Sequence, residues 1–172
     1  MTERARIEHE FHCSEEVFLG LFLKEAYNKA LFEGHLKFPM WRVSSEEETP
    51  ERITRTIEVE PFVADLPAAI QKVVGNNLRY REEAYYDKRE RKYHVKVVPN
   101  RMADKILVSG VQLTESLGPG RCKRIFLADV EVKIFGVGGL IEKRIVQDLI
   151  KSYDIGKHFT DNYLIEHGLA GT

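Results

Sequence analysis

The sequence has 172 residues, of which 43% are hydrophobic and 31% are charged, and its formal net charge is −1. This composition excludes wholesale disorder, and the near-zero charge excludes the broad basic surface of a non-specific nucleic-acid binder. The two cysteines exclude a disulfide framework and a cysteine-rich zinc site. Because a typical domain has roughly 150 residues, we expect one domain that spans residues 1–172.

The N-terminal residues Met1–Arg6 are charged and lack the apolar segment of a secretory signal. No run of apolar residues approaches the roughly 18 that a membrane-spanning helix needs. Cys13 and Cys122 are far apart in sequence and are expected to be free thiols. Together these features predict a cytoplasmic protein.

The chain begins with a strand followed by helical sequence. Apolar and polar residues alternate over 4–11, which predicts a strand with one buried face. Ser14 then precedes Glu15 and Glu16, a combination typical of a helix N-terminus. Apolar residues at helical spacing continue to Gly34, and this pattern fits one helix or two short ones.

Six further strands and a long helix complete the chain. The strands are predicted at about 36–47, 51–60, 78–87, 91–98, 105–115 and 123–135. A short helix at 67–74 separates the second and third of these six. After Gly136–Gly139, an amphipathic pattern predicts a long helix that reaches His167. Short turns between strands imply an antiparallel sheet, and a curved sheet would supply the face on which this helix packs.

Three segments carry a family resemblance: Glu10–Phe18, Val130–Glu142 and Phe159–Leu164. With the order of elements, they resemble the START-like (SRPBCC) superfamily, and within it most closely the bacterial domain-of-unknown-function 2505 family. The resemblance implies an α+β helix-grip fold, in which a seven-stranded curved antiparallel sheet wraps around the C-terminal helix, with a helix or helix pair after strand 1. It also implies a deep apolar cavity between sheet and helix, but a fold does not fix a ligand or a reaction.

Motifs for cofactors, metals and nucleophilic catalysis are weak. A dinucleotide fingerprint at Gly136–Gly139 would need a third glycine where Ile141 stands, so we interpret the glycines as a structural turn. His9 and His12 point to opposite faces of the first strand and do not form a metal site. No G-x-S-x-G motif occurs. We therefore expect no cofactor, no metal and no assigned catalytic residue.

Polar side chains on inward strand faces are the more informative signal. Arg55 and Glu82 lie on strands expected to be neighbours, and we expect them to pair because a buried unpaired charge is costly. They could anchor the polar group of an apolar ligand. Alternatively, they could form an ion pair at the solvent-exposed end of the sheet, or a bulge could turn one of them outward. The predicted cavity lining is His9, Phe18, Phe22, Trp41, Arg55, Ile57, Tyr80, Glu82, Tyr93, Ser109, Phe126, Ile145, Leu149 and Ser152.

The function expected from these patterns is non-enzymatic binding of a lipid or another hydrophobic small molecule in the cavity. One alternative is a cyclase- or hydratase-type enzyme that uses His9 and Glu82 as acid and base. Another is a protein-interaction module with a filled core. Nucleic acid is not an expected partner. The locally basic hairpin formed by Arg79–Arg81 and Lys88–Lys92 fits either a solvated turn or a contact with an anionic membrane.

Overall fold

The computed structural model describes residues 2–172, which form a seven-stranded sheet and four α-helices. The strands are β1 (Thr2–Phe11), β2 (Met40–Glu48), β3 (Arg52–Glu60), β4 (Tyr80–Asp87), β5 (Lys92–Pro99), β6 (Ile106–Ser116) and β7 (Cys122–Val132). The helices are α1 (Glu15–Leu23), α2 (Glu25–Lys29), α3 (Ala68–Val74) and α4 (Gly138–Glu166). The segment Ala30–His35 continues α2 with π-helical hydrogen bonding.

The sheet has the strand order β1-β7-β6-β5-β4-β3-β2, and every neighbouring pair is antiparallel. The first strand therefore pairs with the last, while β2 and β1 form the two edges. The helices α1, α2 and α4 contribute to the apolar clusters on the inner face. This arrangement confirms the predicted helix-grip fold.

The helical segment after β1 consists of two α-helices. Ser14 caps α1, because its Oγ accepts a hydrogen bond from the backbone N–H of Val17 at 3.3 Å. At Lys24 the backbone is extended, with ψ at 121°, and this breaks the helix before α2 begins. Because the helical segment then runs to His35, β2 begins at Met40 rather than at residue 36.

The C-terminal helix α4 has 29 residues and is about 44 Å long. Its middle packs on β1 and β7 through Val146 and Leu149, where Ala5 and Ala128 present small side chains. Apolar clusters hold its two ends, one around Ile141 and the other around Phe159 and Leu164. None of the helices in residues 2–172 combines the length and apolarity needed to cross a membrane.

The glycines between β7 and α4 have a structural role. Gly136 has φ at +81°, and a Cβ on Gly138 would lie 2.4 Å from the carbonyl oxygen of Val132. The helix therefore starts against the strand end, and buried Glu142 ties the two together by accepting a hydrogen bond from the N–H of Val132 at 2.8 Å. Consequently β7 ends at Val132 rather than at 135, and α4 begins at Gly138 rather than at 140.

Candidate functional site

Glu82 lies at the centre of the inner face of the sheet. Its cross-strand neighbours are Ile57 on β3 and Val97 on β5, both of which are apolar. The adjacent inward positions of β4 are Tyr80 and Ala84. The helix α4 approaches mainly β1 and β7, so the middle strands face it from the far side of the interior.

The carboxyl group of Glu82 is enclosed but not fully packed. Burial raises its pKa to about 7, and the charge of Arg55 opposes this shift. Within residues 2–172 the carboxyl oxygens have no hydrogen-bond partner. They are not fully buried, because neither is among the buried polar atoms that lack a partner. The side chain is also only partly buried. The carboxyl group is therefore desolvated but not fully packed by protein atoms.

Three tyrosines share this environment with Glu82: Tyr80, Tyr93 and Tyr153. Burial raises the pKa of each hydroxyl, and the nearby charge of Glu82 raises all three further. Within the described residues none of these hydroxyls has a hydrogen-bond partner, and none is a fully buried unpaired atom. We refer to Glu82 and these three tyrosines as the Glu82 cluster. It presents an acid and three hydroxyls that the protein itself does not satisfy.

Arg55 is buried, but the expectation that it pairs with Glu82 was wrong. Its Nε lies 2.7 Å from Glu46 Oε2, and its Nη2 donates a hydrogen bond to the carbonyl oxygen of Leu23 at 3.0 Å. The reason is a bulge in β2 between Val43 and Ser45, which reverses the alternation and places Glu46 opposite Arg55. Glu82 is therefore left without a close ion-pair partner.

A second polar group occupies the β1/β7 side of the interior. His9 lies opposite Arg124 across the two strands, and its Nδ1 accepts a hydrogen bond from Arg124 Nη2 at 2.7 Å. Its Nε2 therefore carries the proton and donates to Asp154 Oδ1 at 2.8 Å, because a guanidinium can only donate. We call His9, Arg124 and Asp154 the Arg124 network. The guanidinium also lies 4.6 Å from the ring centroid of Tyr153.

This geometry decides the role of His9. Burial lowers the pKa of His9, the hydrogen bond to Asp154 raises it, and the charge of Arg124 lowers it. Both ring nitrogens are engaged with protein groups. The imidazole therefore holds Arg124 in place and has no free nitrogen with which to act on a bound molecule.

The structure changes the polar lining at three positions. Ser109 was expected to point inward, but it is exposed on the outer face, between Lys96 and Asp129. The inward residues of β6 are the even-numbered ones, and buried Gln112 is the polar group that sequence reasoning missed. Arg124 was also missed, although it alternates in step with Phe126 and would have been found by extending that pattern backwards.

The other predicted lining residues, apart from Ser152, lie in the apolar clusters of the inner face. Phe18 and Phe22 stack at 6.4 Å, and Phe22 meets the edge of Tyr93 at 4.8 Å. Trp41 and Ile57 belong to a cluster at the β2/β3 edge, whereas Phe126 stacks on Tyr153 at 4.7 Å. Ile145, Leu149 and Ser152 lie on α4 and keep part of their surface accessible.

Two surface clefts lie at the end of the sheet where β3 ends and β4 begins. One has a volume of about 580 Å³ and is lined by Gln71, Gly75, Asn76, Asn77, Asn100 and Arg101. The other, of about 380 Å³, adjoins it and includes Val63, Leu66 and Leu78. The lining of neither cleft includes a member of the Glu82 cluster. The larger cleft is polar throughout, unlike a typical pocket for a small apolar ligand.

No group of three or more histidine, cysteine, aspartate or glutamate side chains in residues 2–172 is arranged to hold a metal ion. His12 is exposed, whereas His9 is engaged in the Arg124 network. Cys13 and Cys122 are free and fully buried within the described part of the chain. The polar groups that could contact a bound molecule at the site are therefore Glu82, Arg55 and the tyrosine hydroxyls.

Several solved structures share the fold of this chain. Norcoclaurine synthase from Thalictrum flavum is 15% identical, with a TM-score of 0.67 over 98% of this chain and 97% of that chain. The aromatase/cyclase Zhui from Streptomyces sp. R1128 is 10% identical, with a TM-score of 0.63 over 95% and 93%. A START superfamily protein from Mycobacterium smegmatis is 13% identical, with a TM-score of 0.60 over 94% and 98%. At these identities the likeness shows a shared START-like fold.

Comparison of the sequence with protein families is more specific. No curated protein matches the chain. A family profile described as "Protein of unknown function (DUF2505)" matches residues 6–164, which is most of the sequence. The chain therefore belongs to the DUF2505 family, and its fold resembles that of START-like proteins.

Proposed function

We propose that this protein binds a hydrophobic small molecule or lipid between the sheet and α4, and that the Glu82 cluster orients a polar group of that molecule. The observation that carries the proposal is the enclosed carboxyl of Glu82, which has accessible surface but no partner within residues 2–172. A polar group taken out of water without a hydrogen bond costs roughly 1–3 kcal/mol, so such a group needs a ligand or water to satisfy it.

The arrangement of the interior supports this proposal over a filled core. Inward side chains in the middle of a filled core would keep little accessible surface, but Tyr80, Glu82 and Tyr153 are all only partly buried. Apolar walls with a few convergent polar groups are typical of small-molecule sites. The fold can accommodate such molecules, because a structure of norcoclaurine synthase holds dopamine and hydroxybenzaldehyde.

The most direct test is native mass spectrometry of protein purified from its own host. We expect a mass above that of the 19.9 kDa polypeptide, and denaturation should release the difference as a small molecule. Identification of that molecule would name the ligand class. Polypeptide mass alone, from several growth conditions, would contradict the proposal.

A matched pair of variants locates the site with a neutral fluorescent probe, N-phenyl-1-naphthylamine. Val97 points inward beside Glu82, whereas Val98 pairs with Arg81 on the outer face. Val97→Trp should fill the space and abolish the fluorescence of the bound probe, and Val98→Trp should leave it unchanged. Circular dichroism checks that both variants fold, and equal probe binding by the two would place the probe elsewhere.

A second candidate function is catalysis by Glu82. A carboxyl with a pKa of about 7 can both donate and accept a proton near neutral pH, as a general acid or base must. If the molecule found by mass spectrometry is a substrate, incubation should change its mass, and Glu82→Gln should stop this change while binding persists. If the parent protein leaves the mass of the molecule unchanged, catalysis is excluded and binding remains the proposed function.

A further inference from the structure

Apolar side chains project into solvent at one end of the sheet. Phe135 is fully exposed at 104%, Phe62 is 59% exposed, Leu140 46% and Met102 38%. They stand on the connections that follow β3, β5 and β7, and on the first turn of α4. Exposing large apolar groups costs free energy in water, so their grouping at one end points to an interaction surface.

These connections form one continuous end of the molecule. Arg144 on α4 donates hydrogen bonds to the carbonyl oxygens of Ala64 and Asp65, at 2.8 and 3.2 Å. The N–H of Lys133 donates to the carbonyl oxygen of Lys105 at 2.8 Å. We call this surface, made of residues 61–67, 100–105 and 133–140, the loop end.

Cations without acidic partners surround the apolar tips. Lys72, Arg101, Lys105 and Lys143 are all exposed, and none is within 4.0 Å of a carboxylate oxygen among residues 2–172. Arg101 and Lys105 belong to the loop end, whereas Lys72 on α3 and Lys143 on α4 flank it. The exposed acids without an ion-pair partner among residues 2–172 in this region are Asp65 and Asp104, and Glu142 beside Lys143 is buried. The loop end and its flanks together therefore expose four unpaired cations and two unpaired acids, an excess of positive charge.

The basic hairpin between β4 and β5 is different. Lys88 pairs with Glu48 at 2.6 Å, Lys92 with Glu90 at 3.3 Å, and Arg91 with Glu16 at 3.6 Å. Only Arg89 of this turn lacks such a partner in the described chain. The charge that the sequence shows at the hairpin is therefore largely neutralised by neighbouring acids.

We propose that the loop end docks on an anionic lipid bilayer. Phe62, Met102, Phe135 and Leu140 would enter the boundary between headgroups and acyl chains, while the surrounding cations contact acidic headgroups. A bilayer fits better than a folded protein partner, because the apolar groups stand on separate projecting connections and the ring around them is basic. This surface lies outside the Glu82 cluster, so the inference does not depend on the ligand proposed above.

The test is sedimentation of the purified protein with vesicles of phosphatidylcholine alone and with vesicles that contain about 30% phosphatidylserine. Binding should require phosphatidylserine and should weaken as salt screens the charges. Phe135→Ser should lower the partition coefficient about tenfold through lost apolar burial, and Lys143→Glu should do so through charge reversal.

Two matched variants serve as controls. Ile165 is 69% exposed near the opposite end of α4, and Arg89 is the unpaired cation of the hairpin. Ile165→Ser and Arg89→Glu should each leave vesicle binding unchanged. In addition, Phe135→Trp should show a blue shift of its emission on vesicles, since Trp41 is the only native tryptophan and is buried.

Each remaining outcome overturns the proposal. The proposal is wrong if the protein binds neither kind of vesicle, or if its binding does not depend on lipid charge and salt. It is also wrong if the control variants lose as much binding as Phe135→Ser and Lys143→Glu. A dimer in solution that Phe135→Ser converts to a monomer would show that a second copy covers the loop end instead. Circular dichroism of every variant separates loss of binding from loss of fold.

Discussion

The two polar groups of the interior differ in how far the protein satisfies them. In the Arg124 network, both nitrogens of His9 are engaged and the guanidinium lies over an aromatic ring. In the Glu82 cluster, an acid and three hydroxyls keep accessible surface and have no partner among residues 2–172. The first group lies where α4 packs on β1 and β7, and the second lies on the middle strands that α4 does not cover closely.

The difference separates a structural role from a functional one. The Arg124 network, in which Arg124 Nε is the one fully buried polar atom without a hydrogen-bond partner among residues 2–172, fixes the position of α4 on the sheet and contributes to stability. An unsatisfied group is a cost to the folded protein that a bound molecule would offset. The same kinds of side chain should therefore respond in opposite ways to substitution in the two places.

The largest effect is expected for Arg124→Met. This change removes the hydrogen bond to His9 and the charge that lies over Tyr153, so the free energy of unfolding should fall by about 2–3 kcal/mol. Chemical denaturation measures it. Arg121→Met is the control, because Arg121 is exposed and its pair with Glu10 should contribute less than about 1 kcal/mol. Equal losses in the two variants would contradict the structural role of the network.

Glu82→Gln should have the opposite sign. The pKa of Glu82 is raised to about 7 from an ordinary value of 4.5, so the folded protein binds a proton that the unfolded chain releases. Stability from this carboxyl is therefore lost as pH rises from 4.5 to 7. At about 1.4 kcal/mol per pKa unit the whole shift would correspond to roughly 3.5 kcal/mol, but the carboxyl keeps some accessible surface and solvent reduces the effect. The variant should therefore be stabilised by about 2 kcal/mol at pH 8 and little changed below pH 4.5. Exposed Glu83→Gln is the matched control, and destabilisation of the Glu82→Gln variant at pH 8 would contradict the prediction.

A pair of tyrosine variants extends the comparison to hydroxyl groups. The hydroxyl of Tyr27 shares a 2.6 Å hydrogen bond with the Thr160 hydroxyl, whereas that of Tyr153 has no partner in the described chain. Tyr27→Phe should lower the free energy of unfolding by about 1 kcal/mol, and Tyr153→Phe should change it by much less. Thermal denaturation distinguishes them, and a larger loss for Tyr153→Phe would show that its hydroxyl is satisfied within the protein.

The smallest effect is expected from the titration of His9. Burial lowers its pKa in the folded protein, so the unfolded chain takes up a proton first as pH falls below 6.5. Stability from this group is therefore present above that pH and declines below it. His9→Gln, whose amide can replace both hydrogen bonds, should remove this part of the pH profile, while exposed His12→Gln should not. The difference between each variant and the parent, measured by denaturation across about pH 5–7, isolates the effect.

The sequence was sufficient for the fold because alternation and helical spacing are long-range patterns in this chain. The seven strands and α4 follow from them, with shifts of a few residues where Glu142 and the π-helical segment set the boundaries. The polar interior was harder to predict. In β6 both faces carry apolar residues, such as Val108 and Val111, so the alternation alone did not show that Ser109 points outward.

The partner of Arg55 was beyond a pattern-based prediction for a different reason. Strict alternation places Ser45 on the inner face of β2 and Glu46 on the outer face. The bulge adds one residue after Val43 and reverses this order. The residue types of Ser44 and Ser45 do not by themselves predict a bulge. Glu82 was correctly singled out as an inward acid, but its lack of a counterion depends on that one irregularity.

The bulge also bears on self-association, because β2 is an edge of the sheet. An open edge offers unpaired backbone groups to which a strand of another copy can add. Here the extra residue interrupts the regular spacing of those groups, and three consecutive carboxylates, Glu46, Glu47 and Glu48, follow it. Glu46 and Glu48 pair with Arg55 and Lys88, so a second β2 approaching this edge would meet a kinked strand and the carboxylate of Glu47, which is free within residues 2–172. The irregularity that supplies Arg55 with its counterion thus also protects this edge of the sheet from pairing with a neighbouring molecule.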